Sequence, residues 1–190
     1  MSLKPIAIAA AGLAFLAGCA QTGAPVTWNA SIKDNYDVGS LDGAVTSPGI
    51  RVSVVGETYG ADRTALADDL ADIIRESHFG PQVTFASQIG EDESYRDFEV
   101  RFLFSPQPGA PAYTLCEDES FKQRPPEVGA TEFLAAYCRK GKRINSVRGR
   151  VAGDLQSASF RSLVQQASLT LFPPPGFLFD ADRGGNDYDR

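Results

Sequence analysis

Apolar and polar residues alternate across Ile50-Arg51-Val52-Ser53-Val54-Val55, and β-branched side chains dominate, which predicts a strand. Gly56 to Gly60 supplies a turn. From Asp62 to about Phe79 the period changes. Leu66, Leu70, Ile73, Ile74 and Ser77 fall on one helical stripe, with Asp68, Asp69, Asp72, Arg75 and Glu76 mainly on the other side. Asp62 is placed as the N-cap, and Gly80-Pro81 stops the helix. Val83 to Ser87 reads as a short second strand. Phe98 to Phe104 gives the strongest strand pattern. Phe98, Val100, Phe102 and Phe104 share one face while Glu99 and Arg101 point the other way, as in a half-buried strand. Pro106, Pro108 and Pro111 break it. Tyr113 to Cys116 reads as one more short strand, and Glu117 to Gly129 as a loop.

Phe133 to Arg139 and Arg143 to Val151 then read as a hairpin about Lys140-Gly141-Lys142, with glycine supplying the turn. A second helix is expected from about Ser157 to Leu171, with Phe160, Leu163, Val164, Ala167 and Leu171 on its stripe and Ser157 or Ser159 as cap. Pro173-Pro174-Pro175 ends it. The expected order is β-α-β-β-(β)-β-β-α: an α+β domain over residues 49–176, with one mixed sheet and two helices packed on one face. Residues 19–48 are turn-rich and weakly periodic, and are expected to form a flexible tether that Trp28, Ile32, Tyr36 and Val38 can dock in part. Residues 177–190 are expected to be an acidic flexible tail.

The N-terminus changes this picture most. Lys4 precedes an apolar run from Ile6 to Ala17, too short for the ~20 apolar residues that cross a bilayer. It reads as a signal peptide over residues 1–18. Leu16-Ala17-Gly18-Cys19 resembles the lipobox of bacterial lipoproteins at all four positions. That resemblance implies that Cys19 becomes the mature N-terminus, carries a diacylglycerol thioether, and anchors the protein in a membrane. Several acyl chains anchor stably, at ~0.8 kcal/mol per buried CH₂. The following residue is Ala20 rather than Asp. By the sorting rule of the resembled family, this favours the periplasmic face of the outer membrane over the inner membrane.

The net charge is −6, and the leader holds one lysine and no acid, so the mature chain is slightly more acidic still. That balance argues against nucleic acid as a partner. With Cys19 acylated, Cys116 and Cys138 remain as an even pair in a compartment that permits disulfides. A bridge would close a loop of about 22 residues and contribute ~3 kcal/mol. The rival is a reactive or metal-binding pair, which lacks Cys-x-x-Cys spacing and nearby histidines.

The element order from Ile50 to Phe172 resembles the small domains of outer-membrane lipoproteins that activate penicillin-binding proteins. It is also similar to the curli and exopolysaccharide secretion lipoproteins, and to the N-terminal domain of the Tol-system β-propeller. No motif accompanies this likeness, so no residue role is carried over.

Candidate chemistry is sparse. The single histidine, His78, sits at a helix end beside the apolar stripe, where it can meet the last carbonyls. No Gly-x-Ser-x-Gly elbow occurs. Asp68, Asp69 and Asp72 read as a solvated helix face. Counted from Asp180, the tail puts Gly184 at the fifth place of a calcium loop, where an acid or amide is wanted, and it stops at the eleventh, short of the glutamate at the twelfth. No cofactor and no metal site is expected. Arg139, Lys140, Lys142, Arg143, Arg148 and Arg150 all fall on the expected hairpin, either as a surface for lipid phosphates, peptidoglycan carboxylates or an acidic protein, or as a charged rim that discourages edge pairing. Phe177-Leu178-Phe179 is either a docking segment or core. The function expected is that of a non-enzymatic, lipid-anchored envelope module that binds a protein or polymer partner. The alternatives are a homo-oligomeric subunit of a secretion or envelope-assembly system, and an unusual carboxylate-based enzyme.

Overall fold

The computed structural model describes residues 23–33, 36, 41–46, 48–89, 97–117 and 121–175. The leader, Cys19, Val38, the Phe177-Leu178-Phe179 segment and the acidic tail lie outside them. The elements in chain order are β1 (Val26–Ile32), α1 (Asp42–Thr46), β2 (Ile50–Val55), α2 (Arg63–Ser77), β3 (Phe85–Ala86), β4 (Phe98–Phe104), a 3₁₀ turn (Ala112–Leu115), β5 (Ala130–Arg139), β6 (Lys142–Ala152) and α3 (Ala158–Leu171). One six-stranded mixed sheet has the order β1-β6-β5-β4-β2-β3. β2 pairs in parallel with β3 and β4, while β4, β5, β6 and β1 run antiparallel in turn.

α2 and α3 pack on one face of this sheet. Asp62 caps α2 by accepting a hydrogen bond from the Ala65 amide at 2.8 Å, and Ser157 caps α3 through the Phe160 amide at 3.1 Å. Leu66, Leu70, Ile73 and Ile74 of α2 meet Phe160, Leu163, Val164, Ala167 and Leu171 of α3 over the β4 and β5 aromatics. Phe102 and Phe133 pack edge to face at 5.2 Å, and Phe85 and Phe172 at 5.6 Å. Rings in this arrangement gain ~0.5–1.5 kcal/mol beyond the area they bury. Gly149 lets α3 approach the sheet, since a Cβ there would stand 2.8 Å from the Phe133 ring and 3.1 Å from Leu163.

The β5–β6 hairpin closes on Lys140 and Gly141, both at positive φ, which is the two-residue type I′ arrangement that suits strand twist. Elsewhere the structure departs from expectation. Tyr113 to Cys116 belongs to a 3₁₀ turn and its cap, not to a strand. The strand expected at Val83 to Ser87 shrinks to two residues.

The expected tether contributes an edge strand, β1, paired to β6. A bulge between Trp28 and Ser31, with Asn29 at φ 49°, turns Val26 and Trp28 toward one face and Ile32 toward the other. That flip hides the period of two. Tyr36 is buried, and Trp28 and Ile32 are half-buried, so the docking expected of these side chains is present.

The largest departure concerns β4. All seven of its residues are buried, including Glu99 and Arg101. The second face of the sheet is covered as well, by described residues of 105–117 and 121–129.

Candidate functional site

Cys138 on β5 is disulfide-bonded to Cys116, with Cα atoms 5.6 Å apart, which ties the covering segment to the sheet. Leu103, Leu115, Leu134 and Ala136 pack around the bridge as a second, smaller core. Two buried arginines complete the attachment. Arg101 donates to the Leu115 carbonyl at 2.9 Å, and Arg148 donates to the Ala110 and Gln107 carbonyls at 2.8 and 3.3 Å. A backbone bridge between Pro106 and Gln123 closes the base of the segment.

Each buried arginine has a carboxylate. Glu99, 2% exposed, accepts from Arg51 Nη2 at 2.6 Å, Ser53 Oγ at 2.7 Å and Arg101 Nε at 2.7 Å. Glu132 pairs with Arg124 and, at 3.5 Å, with Arg148. Burial pushes the Arg148 guanidinium below its ordinary value, while Glu132 opposes that shift. Charges matched in this way hold a loop. They offer no free acid or base for a substrate.

The six basic residues expected on one hairpin surface do not come together. Arg139, Lys140 and Lys142 stand exposed at the tip, with Arg143 half-buried beside them. Arg139 lies over the Phe98 ring at 5.5 Å, and Lys140 is 3.7 Å from Asp97. Arg148 is buried mid-strand under the covering segment. Arg150, at the opposite end of β6, pairs with Glu127 at 2.5 Å. Sequence spacing alone could not separate these roles, because the carbonyls over Arg148 come from residues 41 and 38 positions away.

His78 occupies the structural position expected of it. Its amide caps α2 on the Ile74 carbonyl, and its ring nitrogens lie 3.2 Å from the Arg75 carbonyl and 3.0 Å from that of Pro81. The ring meets Phe85 edge to face at 4.9 Å. Asp68, Asp69 and Asp72 are exposed on α2; Asp68 accepts from Ser87, and Asp72 pairs with Arg75. Among the described residues no three or more His, Cys, Asp or Glu gather as metal ligands, and no helix is long and apolar enough to cross a membrane.

A surface groove that sequence reading missed lies at the end of the sheet remote from the hairpin tip. Its volume is about 470 Å³, and Val26, Trp28, Val128, Gly129 and Ala152 line it, with Gly23 and Ala24 leading in. Val128 is fully exposed and Val26 is 54% exposed. The bulge in β1 aims Val26 and Trp28 here, and no sequence period signals that.

No protein-family model and no curated protein matches the chain. Among solved structures, two crystal forms of the PelC dodecamer from Paraburkholderia phytofirmans, one of them a point variant, overlap it. The variant gives a TM-score of 0.44 at 11% identity, over 78% of this chain and 98% of that one. The other gives 0.41 at 10% identity, over 77% and 94%. Overlap of that size transfers nothing to this chain.

Proposed function

We propose that this protein is a non-catalytic bacterial envelope lipoprotein, acylated at Cys19, whose domain associates with copies of itself as a subunit of a secretion or envelope-assembly system. One observation carries the self-association: a basic patch and an acidic patch stand on opposite flanks of the domain. The basic patch is the hairpin tip, Arg139, Lys140 and Lys142. The acidic patch is the outer face of α2, where Asp68, Asp69, Asp72 and Glu76 outnumber Arg75 and, from α3, Arg161. The sheet order sets α2 over β2 and β3 toward one edge, with the hairpin toward the other. α2 runs back along the sheet, so Asp72 and Glu76 lie toward the tip end, each paired with an arginine, and the excess acid is Asp68 and Asp69 in the middle of the helix.

A contact between two different patches is head to tail, and it closes into a ring when the rotation between copies permits. Such exposed pairs orient association more than they strengthen it. The lipobox supports the anchor, and Ala20 after Cys19 supports the outer membrane.

Native mass spectrometry of the detergent-extracted full chain tests this reading. A discrete multimer supports it, and a monomer at every concentration refutes the self-association. A monomer that pulls down one envelope component would return the tip to the other reading, a surface for a different protein or an anionic polymer.

A further inference from the structure

We propose that the groove end of the domain, built from Gly23 to Trp28 and Glu127 to Ala130, rests on the lipid surface in which the protein is anchored. This orientation rests on the lipid anchor proposed above and goes beyond it, because it fixes which end of the domain faces the membrane.

Chain length sets the reach. A tether of some 30 residues would let the domain tumble ~30 Å from the bilayer. The structure shortens it. Gly23 already sits at the groove, and β1 is hydrogen-bonded to β6 from Val26 onward. Cys19 is four peptide steps from Gly23, at most ~14 Å when fully extended. Gly23 and Ala24 themselves line the groove. The acylated residue therefore cannot stand far from this end of the sheet.

What the groove presents suits that neighbour. Val128 projects with its whole surface exposed, Val26 is more than half exposed, and the half-buried Trp28 lines the same groove. Small apolar tips with an indole beside them belong at the headgroup level of a bilayer. The ion pair at the rim, Arg150 with Glu127, is neutral overall. The contact is apolar and needs no anionic lipid, consistent with an acidic chain. β6 runs from Lys142 to Ala152 between the two ends, ten steps or ~33 Å. The basic tip and the C-terminal end of α2 are held about that far above the membrane, level with each other.

The full lipidated chain in nanodiscs of zwitterionic lipid provides the test. Cys116 and Cys138 are bridged and Cys19 is alkylated by lipid, so Val128→Cys offers one free thiol for a fluorophore. Lys142→Cys gives the comparison site, and Val26→Cys a second reporter at the groove. A nitroxide on the lipid headgroup should quench the labels at 128 and 26 severalfold more than the label at 142. Equal quenching at both ends overturns the inference. Shielding of the 128 label from aqueous iodide without headgroup quenching also overturns it, because the groove is then covered by protein. The mass of the mature N-terminus is read on the same sample. An unacylated Cys19 defeats the anchor itself, whereas an acylated chain with an unquenched 128 label defeats only this orientation.

Discussion

Glu99 is the residue on which the covered face turns. It takes two arginines and a serine hydroxyl at a site almost without solvent. A buried pair adds little net stability over a well-packed apolar replacement, but removing one partner strands the other. Glu99→Ala is expected to cost ~3–5 kcal/mol, because Arg101 stays buried with its charge uncompensated. Adding Arg101→Met should recover part of the loss. Urea unfolding of the three proteins checks both statements.

Tyr137 shows a different balance. Its hydroxyl is buried without a hydrogen-bond partner, and desolvation raises the phenol above its ordinary value of 10.0. The folded chain therefore keeps a proton that the unfolded chain releases first. Stability from this source is complete below about pH 10 and declines above it, as the unfolded state ionises. Tyr137→Phe should be at least as stable as the native chain at neutral pH, because it removes an unpaired buried group. Its urea midpoint should also fall less steeply between pH 9 and about 11.

At the level of elements, the segment from Ser105 to Gly129 behaves as a lid on the sheet although it contains only a single 3₁₀ turn among its described residues. It is held by the disulfide, by the arginine-to-carbonyl bonds, by the ion pairs of Arg124 with Glu132 and Glu127 with Arg150, and by the apolar contacts of Leu115 with Leu103 and Leu134. Reduction removes only the first. It should lower stability by ~3 kcal/mol, the loop-closure value. That corresponds to a fall in Tm of about 6–12 °C for a domain of this size. The far-UV spectrum at room temperature should not change. A melting temperature indifferent to reductant would show that the loop is constrained as well without the bond.

For the whole molecule, the two ends differ in kind. One end holds the start of β1 and the groove; the other holds the hairpin tip and the C-terminal half of α2. If the charge patches meet between copies, reversing one should weaken the multimer, and reversing both should restore it. Lys142→Glu and Asp72→Lys are each expected to shift the native mass distribution toward monomer, and the double variant to shift it back. High salt should mimic the single variants, since exposed charges are screened beyond ~8–10 Å.

α2, α3, β2, β4 and the hairpin were legible because each carries its own period and its own stop signal, whereas the short α1, inside the expected tether, was not. Leu66 to Ile74 recur at helical spacing, Phe98 to Phe104 alternate, and Asp62, Ser157 and Gly141 punctuate. The cysteine pairing was legible by elimination, once Cys19 was assigned to lipid. These features are local, and local sterics and hydrogen bonding suffice to produce them. Three others come from contacts between distant stretches. β1 owes its place to β6 and to a bulge that breaks its own alternation. Arg148 differs from Arg150 because residues 107 and 110 lie over one and not the other. The groove exists because the stretches around Val26 and Val128, about a hundred residues apart, come to the same end of the sheet. Burial of that kind depends on what covers a residue, and a covering segment leaves no period in the sequence it covers.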